Sequence, residues 1–252
     1  MKIVRRILNL AASEWVDEQG LTWLAAPPKI KLLPDRDKRQ PYPLSWEEQE
    51  RLFAELPLYL AEMARFAANT GCRDQEICSL MWEWEVSVPQ LGTSVFIIPG
   101  SRVKNGDERR VVLNRVAKAA VDGQRGISPT HVFTYRGEPI TRMMTSAWKR
   151  ARLRAELPQA RVHDLKHTFG RRLRAAGVSF EDRQDLLGHR SGRITTHYSA
   201  AELSRLIEAA DSVCQSGTTH AGLVVLRGTI LSESRKTPAS AQEGLAVEPA
   251  SL

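Results

Sequence analysis

The spacing of apolar residues divides the chain into helical stretches on either side of one short region with strand character. Apolar residues recur at roughly helical spacing along residues 2–23. Further helices are predicted at about 46–56, 58–69, 74–81, 114–123, 140–156, 164–176, 180–188 and 201–214. Residues 85–115 instead carry β-branched and aromatic runs separated by turn residues, which is typical of strands. The pattern predicts a mainly α protein with a small antiparallel β-sheet, an α+β fold.

Local signals fix several ends of these elements. Ser45 is followed three residues later by Glu48, which is a capping box that starts a helix. The stretch 99–107 is rich in turn residues and is predicted to join two strands as a long hairpin. Gly177 and Gly188 are predicted to end the helices that precede them.

Composition changes mark three segments. Five prolines between residues 25 and 44 break regular structure, so residues 1–40 are interpreted as a helix followed by a linker. Residues 41–214 hold the periodic pattern of a globular domain. Residues 215–252 are rich in Ser, Thr, Ala, Gly and Pro and are predicted to be largely disordered, with one apolar docking segment at 223–226.

Composition also limits the class of protein. Hydrophobic residues make up 42% and charged residues 26%, which is ordinary for a globular protein. No stretch approaches the roughly 18 apolar residues that span a bilayer, and the basic, amphipathic start is unlike a signal peptide. The three cysteines have no paired spacing, which indicates buried thiols in a reducing compartment. We therefore expect a cytoplasmic protein.

Charge is concentrated in one segment. The net charge is +7, and residues 142–174 contain ten Lys or Arg against two acidic residues. One basic face that contacts DNA phosphates is one interpretation of this segment. A solvated helix face is the other, and composition alone does not separate them.

Several polar residues could carry chemistry, although each has an ordinary alternative. His163 and Lys166 are three residues apart at a predicted helix start, so both can point at one spot. His163 and His167 have a zinc-like spacing, but no thiol or HExxH glutamate accompanies them. Taken singly, Arg73 would be a surface ion pair, Lys104 a solvated turn residue and Tyr198 half-buried packing.

The order of these residues resembles a known family. Thr70-Gly71-Cys72-Arg73, then a hairpin lysine, then His163-Asp164-Leu165-Lys166, then Leu186-Leu187-Gly188-His189, then His197-Tyr198-Ser199 is similar to the catalytic domain of tyrosine recombinases of the phage integrase type. The resemblance runs from about residue 42 to 214. It implies that fold for residues 41–214, and residues 1–40 look like the last helix of a truncated core-binding domain with its interdomain linker.

The resemblance also implies roles for individual residues. Arg73, Lys166, His163 and His189 would bind the scissile phosphate, with Glu76 supporting Arg73. Lys166 stands where the family usually has a second arginine. Tyr198 would be the nucleophile, His163 the general base and Lys104 the general acid. The implied activity is site-specific DNA integration or excision through a covalent 3′-phosphotyrosine, which needs no cofactor and no metal.

The implied partner is double-stranded DNA, bound by a homo-tetramer of a bacterial or phage-encoded protein acting on chromosomal DNA. Three other interpretations stay open from the residues. Lysine lacks the planar fork of arginine, so the chain is alternatively a catalytically impaired, DNA-binding remnant of a prophage integrase. A type IB topoisomerase shares the tyrosine chemistry. A zinc hydrolase is the most distant alternative.

Overall fold

Helices and two small antiparallel sheets make up the computed structural model, which describes residues 2–31, 39–104, 106–188 and 199–214. The strands are β1 (Glu85–Val88), β2 (Thr93–Ile98), β3 (Arg109–Val112), β4 (Thr134–Tyr135) and β5 (Glu138–Pro139). The helices are α1 (Lys2–Ser13), α2 (Trp46–Glu55), α3 (Leu58–Thr70), α4 (Asp74–Cys78), α5 (Arg115–Asp122), α6 (Ser146–Arg154), α7 (Val162–Ala175), α8 (Phe180–Leu187) and α9 (Ala200–Asp211). The predicted α+β class is confirmed.

Helix α3 lies in the centre of the larger hydrophobic core. Nine of its side chains are buried, and it packs against α5 on one side and α7 on another. Its Phe66 contacts Phe133 edge to face, with ring centroids 5.2 Å apart. Because α3 is apolar on most sides, burial rather than intrinsic propensity holds it in place.

The strands β1, β2 and β3 form one sheet in that order, and both pairings are antiparallel. Residues 99–108 connect β2 to β3, which confirms the predicted hairpin. The connection is tight, because a Cβ atom at Gly100 would lie 2.2 Å from the carbonyl oxygen of Gly106. In the pairing of β2 with β3, Ile98 lies opposite Arg109.

A second apolar cluster fastens the C-terminal helices. Phe169 and Leu173 of α7, Leu186 of α8 and Leu206 of α9 are all buried together. Arg115 donates its backbone N–H to Asp211 at 2.8 Å, and this bond ties the end of α9 to the start of α5. Helix α9 is therefore anchored at its C-terminal end.

Some predicted element ends are wrong. The first helix stops at Ser13 instead of residue 23, because the Asp17 carboxylate accepts the backbone N–H groups of Gln19 and Leu21 and forms a turn. The α4 and α6 helices are shorter than predicted. Helix α7 begins earlier, so His163 lies within its first turn and not before it.

Other predictions concern side chains and segments. Cys72, Cys78 and Cys214 are free and buried, as expected. None of the described helices is both long enough and apolar enough to cross a membrane. His189, Tyr198 and the tail from residue 215, with its apolar segment at 223–226, lie outside the described residues.

Candidate active site

Arg73 occupies the turn between α3 and α4. Helix α3 ends at Gly71, which has a φ of +63° that favours glycine, and Arg73 then caps α4. Glu76 accepts the Arg73 backbone N–H at 2.8 Å through Oε2 and the guanidinium Nη1 at 2.7 Å through Oε1. The Arg73 side chain is 24% exposed, so it is fixed on one side and open on the other.

Glu76 is buried and shared by two arginines. Its second partner is Arg109, the first residue of β3, whose Nη1 donates to Glu76 Oε2. Burial alone would raise the pKa of Glu76, but Arg109 and Arg73 together hold that pKa below its ordinary value. The carboxylate therefore stays ionised and keeps Arg73 in one orientation.

Lys166 lies one turn into α7 and is buried. Its ammonium group donates to the carbonyl oxygen of Gly71 at 2.9 Å and to that of Leu187. An ammonium has three donors, so two of the three have partners among the described residues. Burial, followed by the charges of Arg109 and Arg73, lowers the pKa of Lys166 to about 7.

His163 is exposed in the first turn of α7. Its ring contacts that of His167 at right angles, with centroids 4.8 Å apart. Partial burial, then the neighbouring His167 and Lys166, and more weakly Arg73, lower the pKa of His163 below its ordinary value. At neutral pH the ring is therefore a neutral imidazole, able to accept a proton.

A buried acid holds the start of α7 in place. Asp164 accepts the backbone N–H of Arg161 at 2.9 Å and that of Tyr42 at 3.0 Å. Two residues after Tyr42, the Leu44 N–H donates to Thr168 at 2.9 Å. The segment that precedes α2 is thus bonded along α7, and this positions His163.

The C-terminal end of α8 packs against the turn that carries Arg73. A Cβ atom on Gly71 would lie 2.8 Å from Leu187 Cδ2, and one on Gly170 would lie 3.1 Å from Leu187 Cδ1. Helix α8 then ends at Gly188, whose φ is +59°. A Cβ atom on Gly188 would lie 2.8 Å from Arg109 Nε. These three glycines let the chain before His189 pack directly against the Arg73 turn.

Of the remaining predicted site residues, Lys104 is described by the structure, whereas only the chain neighbours of His189 and Tyr198 are. Lys104 is exposed in the β2–β3 connection. His189 follows Gly188 directly, and Tyr198 directly precedes Ser199, the residue that caps α9. The structure therefore brings Arg73, Glu76, His163 and Lys166 together, while His189 and Tyr198 themselves lie outside the described residues.

The sequence interpretation missed Arg109, Asp164 and Thr168. Arg109 had a usable signal, because it lies two residues before the buried Val111 and so shares its inward face of β3. Across the part of the chain that the structure describes, no group of three or more His, Cys, Asp or Glu side chains is arranged to hold a metal ion.

The basic segment 142–174 does not form one uniform surface. Lys166 and Arg172 are buried, and Arg154 pairs with Glu55 of α2. Other members are exposed, among them Arg142, Lys149 and Arg174. The positive surface is therefore smaller than the count of basic residues indicates.

The chain is similar in sequence to a phage integrase and to a tyrosine recombinase. The integrase of Salmonella phage P22 is 27% identical over 226 residues, which are 84% of this chain and 56% of that protein. Tyrosine recombinase XerC of Pelobacter propionicus is 27% identical over 201 residues, which are 73% of this chain and 64% of that one. The chain thus spans between about half and two thirds of the length of these curated relatives.

Two solved structures share the fold. The integrase from mycobacterium phage Brujita matches with a TM-score of 0.55 and 20% identity, over 84% of this chain and 69% of that one. The XerH site-specific recombinase, bound to its palindromic difH substrate in a post-cleavage complex, matches with a TM-score of 0.54 and 19% identity over 79% and 60%. The phage integrase family model matches residues 45–226, and the chain therefore belongs to the phage integrase family.

Proposed function

We propose that the chain is a site-specific DNA recombinase that cleaves and rejoins strands through Tyr198. The observation that carries this proposal is the Arg73 guanidinium, which Glu76 holds on one side and which is open on the other. It lies close enough to His163 and Lys166 for its charge to lower the pKa of both. Cations that neutralise the phosphate and a neutral imidazole that accepts a proton would together promote attack on a phosphodiester.

The first task of this site is to neutralise the phosphate. A phosphodiester is an anion, and its transition state gathers more charge on the non-bridging oxygens. Arg73 can donate to two of those oxygens in a bidentate arrangement. The third donor that Lys166 has in its protonated form and the ring of His189 supply further hydrogen bonds in this proposal.

The second task is proton transfer. The Tyr198 oxygen attacks phosphorus while His163 accepts its proton, and the lowered pKa of His163 keeps that ring ready to do so. The bond from phosphorus to the 5′-oxygen breaks, and Lys104 gives that oxygen a proton. The product is a 3′-phosphotyrosine and a free 5′-hydroxyl. Attack by another 5′-hydroxyl reverses the step, so rejoining needs neither a nucleotide cofactor nor a metal.

The proposed partner is double-stranded DNA, held by a homo-tetramer in the cytoplasm of a bacterium. The net charge of +7 and the exposed Arg142, Lys149 and Arg174 support phosphate contacts. The DNA bound by XerH in its solved complex supports the same substrate class. The tetramer follows from strand exchange, since two duplexes with two cleavage sites each need four nucleophiles.

A trapping experiment tests the proposal. Duplexes with randomised arms and a nick beside the central base pairs are incubated with the protein, and covalent complexes are isolated in denaturing gel and sequenced. Wild type should trap a defined set of sequences. Tyr198→Phe should trap none, whereas Tyr135→Phe, a matched change at an exposed tyrosine, should trap as wild type does. Equal trapping by Tyr198→Phe would show that the nucleophile is another residue.

One observation favours a second candidate, a DNA-binding protein that no longer cleaves. Two of the three Lys166 donors are already bonded to backbone carbonyls, so its capacity toward phosphate is small. This candidate predicts salt-sensitive DNA binding without any covalent product, also in Lys166→Arg. Covalent product that rises in Lys166→Arg would instead identify a weakened enzyme.

A further inference from the structure

Arg109 is a buried cation that the proposed reaction does not use. It is the first residue of β3, and 2% of its surface is exposed. Its Nη1 donates to Glu76 Oε2, and its Nη2 donates to the carbonyl oxygen of Thr70 at 3.2 Å. Thr70 is the last residue of α3, so one guanidinium bonds both ends of the turn that carries Arg73.

The shared carboxylate transmits this contact to Arg73. Glu76 Oε2 receives Arg109 and the Arg73 backbone N–H, which leaves Oε1 directed at the Arg73 guanidinium. Without Arg109, only hydrogen bonds from Arg73 itself would hold this carboxylate. Arg109 adds a bond from β3 to Oε2, so the carboxylate that binds the Arg73 side chain is anchored to a second element.

Arg109 also touches the chain that leads to His189. A Cβ atom on Gly188 would lie 2.8 Å from Arg109 Nε, 3.0 Å from Cδ and 3.1 Å from Cζ. The buried Arg109 side chain therefore lies directly beside Gly188. Its Nε has no hydrogen-bond partner among the described residues, so this contact with Gly188 is a van der Waals contact and not a hydrogen bond.

We propose that Arg109 is a positioning residue of the strand-cleavage site, which fixes Arg73 through Glu76 and packs against Gly188 at the end of α8. This inference rests on the proposed function for its catalytic consequence. Its structural consequence, a fixed Arg73 guanidinium, can be measured separately.

The charge of Glu76 explains why a second cation, Arg109, is needed on its buried side. With Arg73 as its only partner, the Glu76 carboxylate would neutralise the cation that has to meet the phosphate. Arg109 takes part of that negative charge from the buried side. Arg73 then keeps more of its positive charge toward the opening, which is the direction of the scissile phosphate.

Two pairs of variants test the proposal. Arg109→Lys keeps the charge and loses the fork, and Arg109→Met loses both. Arg172→Lys and Arg172→Met are the matched controls, since Arg172 is 4% exposed and contacts Trp46 away from this site. The duplex selected in the trapping experiment is the substrate. Single-turnover cleavage and DNA affinity are measured for variants whose circular dichroism matches that of wild type.

The expected result separates affinity from rate. Arg109→Lys should bind DNA within about threefold of wild type and cleave about 10- to 100-fold more slowly, and Arg109→Met should be slower still. The Arg172 variants should cleave at close to the wild-type rate. Replacing the scissile phosphate by an uncharged methylphosphonate should shrink the Arg109 penalty, because Arg73 then has no anion to neutralise. An unchanged penalty would overturn positioning through Arg73.

A measurement without cleavage keeps the two proposals apart. Nuclear magnetic resonance of the Arg73 guanidinium should show slow rotation about its Nε–Cζ bond in wild type and in Arg172→Met. Rotation should become fast in Arg109→Met. If wild type forms no covalent product but this change occurs, Arg109 positions Arg73 and the recombinase proposal fails. If Arg73 is unchanged in a folded Arg109→Met protein, the inference about Arg109 is wrong.

Discussion

Arg109 and Arg172 are both buried arginines, and the partners that hold them differ in kind. Arg109 faces the Glu76 carboxylate and a backbone carbonyl. Arg172 lies over the ring of Trp46, with its Cζ 3.3 Å from the ring centroid, and donates to Gln49 at 2.8 Å. Burial lowers the pKa of Arg172 to about 10, since among the described residues no carboxylate compensates it.

The Arg109–Glu76 ion pair orients a residue of the candidate site, whereas the Arg172–Trp46 contact stabilises the fold. Arg172 fastens α7 to α2, and Arg152 fastens α6 to the Ala160 carbonyl in a similar way. Arg109 instead shares its carboxylate with Arg73, so any change in Arg109 is transmitted to the candidate site. A buried charge that shares its counterion with a half-exposed charge is therefore a useful indicator of function.

The largest expected effect is on stability. Arg109→Met should lower the free energy of unfolding by roughly 3–5 kcal/mol, because it leaves Glu76 buried with one cation fewer. Arg172→Met should cost about 2 kcal/mol, which is the scale of a desolvated cation–π contact. Urea unfolding at neutral pH measures both. Equal losses would mean that the ion pair and the aromatic contact contribute alike, and the comparison would fail.

The next effect concerns Glu76 and has a defined pH dependence. Glu76→Gln should cost about 2–3 kcal/mol at neutral pH, the scale of hydrogen bonds to a charged group. Because the folded-state pKa of Glu76 lies below its ordinary 4.5, wild type holds this advantage above 4.5 and loses it as the pH falls further. Unfolding at a series of acid pH values should therefore show the two proteins converging.

Glu202 provides the control for this measurement. It is the capping-box carboxylate of α9, as Glu76 is of α4, but it is only partly buried at a helix start. Glu202→Gln should produce a smaller loss at neutral pH, since solvent screens that carboxylate. A Glu76→Gln loss no greater than that of Glu202→Gln would argue against a shared, buried carboxylate.

A smaller effect is expected where Arg109 meets Gly188. Gly188 and Gly177 both have positive φ, so alanine at either position costs about 1–2 kcal/mol of backbone strain. Only at Gly188 does the added methyl group also press on Arg109, whereas nothing lies within 4 Å at Gly177. Gly188→Ala should therefore be the more destabilising by about 1 kcal/mol, as an overpacked contact.

A double variant sharpens this prediction. In the Arg109→Met background, the flexible methionine has no hydrogen bonds to Glu76 or Thr70 and can move aside for the methyl group, so the extra penalty of Gly188→Ala should shrink. Thermal unfolding of the four proteins gives the coupling directly. Additive losses would show that the two groups do not touch in the folded protein.

The sequence predicted the parts of this network that depend on local order, and it missed those that depend on long-range pairing. The capping box at Ser45, the hairpin and the helix end at Gly188 follow from residues close in the chain, and the structure confirms them. The pairing of Arg109 with Glu76 joins residues 33 positions apart. Strand alternation gives the inward direction of Arg109, but only the packing of β3 beside α4 gives its partner.

The hydrogen bonds of the buried Lys166 amine are another feature that the sequence could not predict, because they depend on long-range packing. Its position in the family motif suggested a phosphate ligand, while its bonds to the Gly71 and Leu187 carbonyls depend on how α3 and α8 meet. Motif spacing gives the residue that can reach a site. Which of its donors remain available depends on the chain segments packed around it, and those are distant in sequence.

The last expected effect is the titration of Lys166, which changes stability gradually with pH. Burial and the charge of Arg109 lower its pKa to about 7 from the ordinary 10.5, so between these values the unfolded chain binds more protons than the folded one. Stability contributed by this group therefore rises with pH across that window. Buried Cys72 and Cys78 have raised pKa values and act in the opposite direction above their ordinary 9.0, so the measurement stays below it.

Lys166→Met removes the pH-dependent contribution of Lys166 to stability. Between about pH 6.5 and pH 8.5, wild type should gain about 1–2 kcal/mol relative to Lys166→Met, since one group contributes at most about 1.4 kcal/mol per pH unit. Arg172→Met should keep the wild-type slope, because Arg172 is not among the charges that act on Lys166. Arg109→Met should make it shallower, because burial, the largest cause of the lowered Lys166 pKa, remains while one of the two cations that lower it is removed. A slope that both arginine variants leave unchanged would show that Arg109 and Lys166 are electrostatically independent, and the buried cluster would then lack the coupling that distinguishes Arg109 from Arg172.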